Sequence, residues 1–199
     1  MKNEITLEIC LRYKSGNGSN TLLHFELKNQ VINYDLIRAL IEHKSDLESL
    51  NDSKLNPLHI ATKSKSSIAI INLMIEKKSP ISNCDKFGNI PLHYATKNEN
   101  LEVIKLVVEK SSSLNLQNNL KSTPFFSICS PIISLKLIQF CFENGGDVNW
   151  IDVRGRNALH HVFQNNHSNQ EILEYLIEQK CDQNFLDRSI QSAPCCMSK

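Results

Sequence analysis

Seven histidines and seven cysteines are the side chains with the widest chemical reach in this chain of 199 residues. An imidazole ordinarily titrates nearest neutrality, which makes His24, His59, His93 and His160 candidates for proton transfer or metal ligation. Cys10, Cys84, Cys129, Cys141, Cys181, Cys195 and Cys196 offer nucleophiles or thiolate ligands. Their spacing argues against both uses. No C-x-x-C pair occurs, and neither residue type clusters as a tetrahedral site requires, so no metal is expected. No G-x-x-x-x-G-K-[ST], G-x-G-x-x-G or G-x-S-x-G string is present, and no local signature pairs a cysteine with a histidine for nucleophilic catalysis. Neither a catalytic residue nor a cofactor is expected. The four histidines instead occupy one recurring place in the chain.

That place belongs to a short motif: Thr21-Leu22-Leu23-His24, Asn56-Pro57-Leu58-His59, Ile90-Pro91-Leu92-His93, Thr123-Pro124-Phe125-Phe126 and Asn157-Ala158-Leu159-His160. Successive copies start 35, 34, 33 and 34 residues apart. Such a period describes a stack of supersecondary units, each too small to bury its own apolar face. Thr21, Asn56, Thr123 and Asn157 stand where a side-chain oxygen can cap a first helix, and Pro57, Pro91 and Pro124 follow where a missing N–H costs nothing. Ile90 cannot cap, so the third unit must satisfy its first turn otherwise. Further on, apolar pairs one turn apart mark second helices that end on Glu42, Glu76, Glu109, Glu143 and Glu178. Each glutamate lies 14 residues before the next motif position, which implies a connecting finger of constant geometry.

The third unit, Asp85-Lys86-Phe87-Gly88-Asn89-Ile90-Pro91-Leu92-His93-Tyr94-Ala95, resembles the T-P-L-H-x-A signature of the ankyrin-repeat family. The resemblance implies an all-α chain with β-hairpin or turn fingers: a solenoid of about five helix-turn-helix repeats plus an incomplete sixth. It also gives His24, His59, His93 and His160 a structural hydrogen-bonding role within and between repeats. Departures from the pattern are informative. Gly88 and Gly155 occupy a turn position that favours positive φ, where the second and fourth repeats have Lys54 and Lys121 and so carry strain or a different turn. Glu26 replaces the small residue found as Ala61 and Ala95, which marks the first repeat as a water-facing end. Ile128 and Val162, larger at the same place, are expected to push or tilt the last two units. His161 and His167 fall outside the motif and are expected at the surface.

Three segments follow from this reading: an N-terminal capping segment over 1–16, a five-repeat array over 17–187, and an incomplete sixth repeat or frayed tail over 188–199. Ile5, Leu7, Ile9 and Leu11 fit both a strand and a helix, and a short covering helix is favoured. A sixth repeat needs roughly 20 more residues than the chain supplies, so a fragment of a longer protein is favoured over a frayed end. The formal net charge of +1 gives no global attraction for nucleic acid or an anionic membrane, and neither is expected as a partner. No run approaches a membrane span, and Met1-Lys2-Asn3-Glu4 opens without the apolar core of a signal peptide. The expectation is a cytoplasmic monomer, the nucleus being the other compartment open to it, with its thiols free.

Function then rests on surface. The resemblance implies a non-enzymatic scaffold or adaptor that binds a protein on its concave face, through finger tips and first helices. Phe87 and Leu120 fall at tips where a core cannot easily reach them, and Trp150 lies on a finger arm; aromatic and Arg side chains on a rim are the types that anchor interfaces. Lys86, Phe87, Leu120, Trp150, Arg154 and Arg156 are the expected contact residues. The alternative is a substrate-recruiting or regulatory arm of a larger enzyme, such as a ubiquitin ligase, kinase or GTPase regulator, whose catalytic domain lies outside this chain.

Overall fold

A computed structural model describes residues 19–29, 33–43, 45–64, 66–97, 100–111, 114–129, 134–164 and 170–182. The expected N-terminal segment, His167 and the expected sixth repeat lie outside them. The described residues form helices in pairs, one pair per repeat: α1 (Leu22–Lys28) with α2 (Tyr34–Glu42), α3 (Pro57–Lys63) with α4 (Ile68–Glu76), α5 (Pro91–Lys97) with α6 (Leu101–Ser111), α7 (Pro124–Ile128) with α8 (Leu135–Glu143), and α9 (Ala158–Gln164) with α10 (Gln170–Glu178). Two compact units divide the chain at Ser111, with α1–α6 in the first and α7–α10 in the second.

In the first unit the first helices stack on one another, α1 on α3 and α3 on α5, and the second helices do the same behind them. Leu23, Leu27, Ile37, Leu58, Ile71, Met74, Leu92 and Ile104 are fully buried between these layers. Each residue packs against its own repeat and the next, which is why no repeat is stable alone. The second unit repeats the plan around Leu114, Phe125, Ile128 and Leu176. There Gly146 passes so close to Phe125 that a Cβ would lie 2.6 Å from the ring and 2.9 Å from the Cys141 carbonyl oxygen.

Helix starts follow the sequence closely. Thr21, Asn56, Thr123 and Asn157 accept from the amides of His24, His59, Phe126 and His160, and Asn33, Ser67 and Asn100 cap second helices in the same way. Among the described residues, α4, α8 and α10 stop on a residue in the left-handed region: Lys78 at φ 63°, Gly145 at 90° and Lys180 at 62°. At each stop the next amide returns to a helix carbonyl, Ser79 to Met74, Gly146 to Cys141 and Cys181 to Leu176. That closure is the Schellman stop, normally built on glycine.

The fingers depart from the expected β-hairpins: no β-strand occurs among the described residues. Each finger is a single tight turn rooted on Asn51, Asp85, Asn118 or Asp152. The root side chain accepts the amides two and four residues on, as Asp85 Oδ1 does from Phe87 and Asn89 at 2.8 Å each. Asn51, Asn118 and Asp152 repeat the arrangement at 2.9 to 3.1 Å, 2.9 to 3.0 Å and 2.8 to 3.0 Å. Local side-chain acceptors thus take amides that a strand ladder would need, and the finger closes as an Asx turn. One backbone bond then joins neighbouring fingers within a unit, Lys86 N–H to Ser53 and Val153 N–H to Leu120.

Lys54 and Lys121 share the left-handed conformation of Gly88 and Gly155, with φ of 57° and 53° against 76° and 77°. An L side chain there costs about 1 kcal/mol or more. Replacing Lys121 or Lys78 by Gly is therefore expected to raise stability by about 1 kcal/mol each in denaturant unfolding, and Gly155→Lys to lower it by a similar amount.

Candidate functional site

The motif histidines are buried and engaged. His24, His59, His93 and His160 each place Nδ1 3.2 to 3.3 Å from the backbone N–H three residues earlier, and the ring accepts that hydrogen. This is one half of a reciprocal cap whose other half is the side-chain oxygen at the start of the helix. Ile90 lacks the oxygen, and the third repeat keeps only the ring half. With Nδ1 accepting, Nε2 carries the proton and donates to the next finger: His24 to the Leu55 carbonyl and His59 to the Asn89 carbonyl, both at 3.0 Å. Burial lowers the pKa of His59 from 6.5, so the ring is neutral. The asparagine caps add a donor that threonine lacks, Asn56 Nδ2 to the Pro80 carbonyl and Asn157 Nδ2 to that of Asp182.

Two polar clusters emerge at finger roots that sequence reasoning did not single out. Tyr94 Oη donates to Asp85 Oδ2. At the equivalent place Arg156 clamps Asp152 Oδ2 through Nε at 2.8 Å and Nη2 at 2.6 Å, and His161 Nε2 lies 3.3 Å from the same oxygen. Burial pushes both carboxyls up, but the donors outweigh it: Tyr94 with the Asn89 and Phe87 amides, and Arg156 with the Arg154 amide, hold them below the usual 3.8. Burial and the Asp85 carboxylate push the Tyr94 phenol up to about 12. A signal existed in the sequence. Nine residues past each root stand Ile60, Tyr94, Ser127 and His161, so a long ring with a polar group occurs where the root is Asp, and an aliphatic or short side chain where it is Asn. A partly buried carboxylate requires more donors than an amide oxygen does.

His161 is therefore half-buried rather than on the surface as expected. Its ring stacks on Phe126 at 4.9 Å, the residue that replaces the motif histidine of the fourth repeat. In the first unit His59 and Tyr94 meet edge to face at 6.0 Å. Burial and the Arg156 charge hold His161 below its ordinary pKa.

The expected contact residues divide between the units. In the first, Lys86 and Phe87 sit side by side on an exposed tip, with Phe87 62% exposed. In the second, Leu120 is 64% and Trp150 40% exposed, and Arg154 is exposed. Arg156 is turned onto Asp152 with 17% of its side chain exposed, so it braces the finger.

Chemistry of other kinds finds little footing. Cys84 is exposed, whereas Cys129, Cys141 and Cys181 are buried free thiols. Burial pushes Cys181 up to about 11 and Cys141 to about 12, and Cys129 higher still, far from the thiolate that nucleophilic attack requires. Among the described residues no three His, Cys, Asp or Glu side chains are placed to hold a metal, and no helix is long and apolar enough to cross a membrane. A surface cavity of about 210 Å³, lined by Tyr34, Asp35, Arg38, Ser67, Ala69 and Ile70, is smaller than the roughly 300 Å³ at which ligand pockets begin.

These shifts set the response to acid. The unfolded chain takes up protons at His59 and His161 that the folded chain resists, so their contribution is whole above about pH 6.5 and declines as pH falls. Asp85 and Asp152 contribute above pH 3.8, and that contribution is lost as pH drops through their lower folded values. Melting temperature is expected to fall in two stages on acidification. His161→Phe, which keeps the stack on Phe126, should shrink the first stage.

Comparison with known proteins matches residues 23–118 to the family described as ankyrin repeats, in three copies. A search of curated proteins finds no match. The matched stretch holds the His24 and His59 bridges, the fingers rooted on Asn51 and Asp85, and all but the first residue of the paired helices α1–α6. Residues 23–118 therefore form a stretch of the ankyrin-repeat family.

Proposed function

We propose that the chain is a non-enzymatic interaction module that binds a protein partner through the fingers and first helices of its units. Lys86, Phe87, Leu120, Trp150 and Arg154 are the contact residues, and Arg156 positions the finger that carries Arg154. The observation that carries this reading is the exposure of Phe87 and Leu120, at 62% and 64%, on turns whose backbone is already fixed by Asp85 and Asn118. Large apolar side chains held out on rigid turns lose little freedom on contact, which is how preorganised interfaces gain affinity. Ankyrin-repeat identity supports a binding rather than a catalytic role.

Affinity capture from the native cell, with the chain beside its Phe87→Ala, Leu120→Ala, Arg154→Ala variant, tests the assignment. The variant is expected to keep its circular dichroism and to bind the captured partner about tenfold more weakly or worse. Equal retention would move the site away from the fingers.

A further inference from the structure

The proposed binding role leaves the partner's chemistry open, and the charge arrangement of the first unit narrows it. Lys28, Lys63 and Lys97 are the last residues of α1, α3 and α5, the three first helices that stack on one another. Lys63 and Lys97 are the only charged side chains on their helices. Lys54 and Lys86 add two exposed ammonium groups from the fingers. At the bases of the fingers exposed Lys77 and Lys78 add to these five, and against the seven stand exposed Asp46, Glu48 and Asp52 and half-buried Glu26, since Asp85 is buried beneath its hydrogen bonds. The second helices of the same unit have the opposite balance: Asp35, Glu42, Glu76, Glu102 and Glu109 outnumber Arg38, Lys105 and Lys110.

Contacts tie the lysines to the exposed tip. Lys63 Nζ lies 5.4 Å from the centre of the Tyr94 ring, a distance at which cation and ring attract. Tyr94 donates to Asp85, and Asp85 accepts the amide of Phe87. Ammonium, aromatic ring and protruding Phe87 are thus linked in one side of the unit.

We infer that the finger and first-helix face of the first unit, with Lys63, Lys97, Lys86 and Phe87 at its centre, docks an acidic protein segment that brings an apolar anchor for Phe87. The inference rests on the protein-binding reading above. Stacked helices lie about 10 Å apart, and three residues of extended polyproline-type chain cover about 9 Å, so carboxylates three residues apart meet successive lysines. A polyphosphate carries charge too densely to avoid Asp52 and Glu26, whereas an acidic peptide with spaced carboxylates can. Phe87 offers a phosphate backbone nothing.

Selection of random short displayed peptides on the full chain tests the inference. Enriched peptides should carry net negative charge and a large apolar residue, and should bind more weakly as salt rises. The Lys63→Gln, Lys97→Gln variant should lose about tenfold in affinity, while Lys105→Gln, Lys110→Gln on α6 should not. Both pairs are exposed, and circular dichroism of each variant checks the fold. Enriched peptides without negative charge, or peptides that depend on Phe87 and ignore Lys63 and Lys97, would overturn the acidic partner and leave protein binding standing. No enrichment at all would overturn both. Tighter binding of a single-stranded DNA oligonucleotide, or of phosphatidylserine vesicles, with the same lysine dependence would overturn it in favour of that anion.

Discussion

A neutral imidazole used at both nitrogens is the interaction on which the repeats depend. His24 and His59 accept from an amide of their own repeat and donate to a carbonyl of the next finger, at residues 31 and 30 positions away. A buried ring so placed does two jobs that apolar packing cannot. It satisfies an orphan amide at a helix start and a carbonyl at the base of a finger, both of which are costly to leave unpaired. It also sets the register between neighbours, because a directional bond admits fewer arrangements than an apolar contact. Where the fourth repeat substitutes Phe126, the ring stacks on His161, and the backbone bond from Val153 N–H to the Leu120 carbonyl is a directional link to the next repeat.

With the base of each finger fixed, the turn above it is closed from within. Asn51, Asp85, Asn118 and Asp152 gather the amides of their own loops, so a finger keeps its shape without a partner strand. The consequence is a separation of duties along a few residues. Roots and motif histidines hold the frame, and the tips are released from packing. Phe87 and Leu120 can be large, apolar and exposed because nothing in the frame uses them.

Much of this was legible in the sequence, for a physical reason: whatever repeats at a fixed interval reports on local geometry common to every copy. Helix starts at Thr21, Asn56, Thr123 and Asn157 belong to that class, and at Lys54 and Lys121, where the repeats left strain or a different turn open, the backbone takes the positive φ of the glycine turns. The β-hairpin expectation failed because it took the fingers from the family pattern and overlooked the side-chain acceptor at each root. The inward turn of Arg156 and the burial of His161 were hidden for another reason. Both depend on a carboxylate placed four and nine residues earlier, and only the comparison of Asp roots with Asn roots across repeats reveals the pairing.

Net charge is a poor guide to what a repeat protein binds, and this chain illustrates why. Its formal charge of +1 describes a sum over faces that no single partner meets at once. A period near 34 residues places equivalent residues in columns, so a preference at one register becomes a stripe one repeat high. Lysine at the end of each first helix in the first unit forms one such stripe, and glutamate at the ends of α2 and α4 belongs to another. Lysine near a helix C-terminus is favoured by the macrodipole, whereas glutamate there is not. Helix stability alone therefore accounts for the first stripe and opposes the second. A fold that accepts the unfavourable placement while weighting each layer towards one sign retains a directional field, and a field close to the surface is what an approaching partner senses within a Debye length.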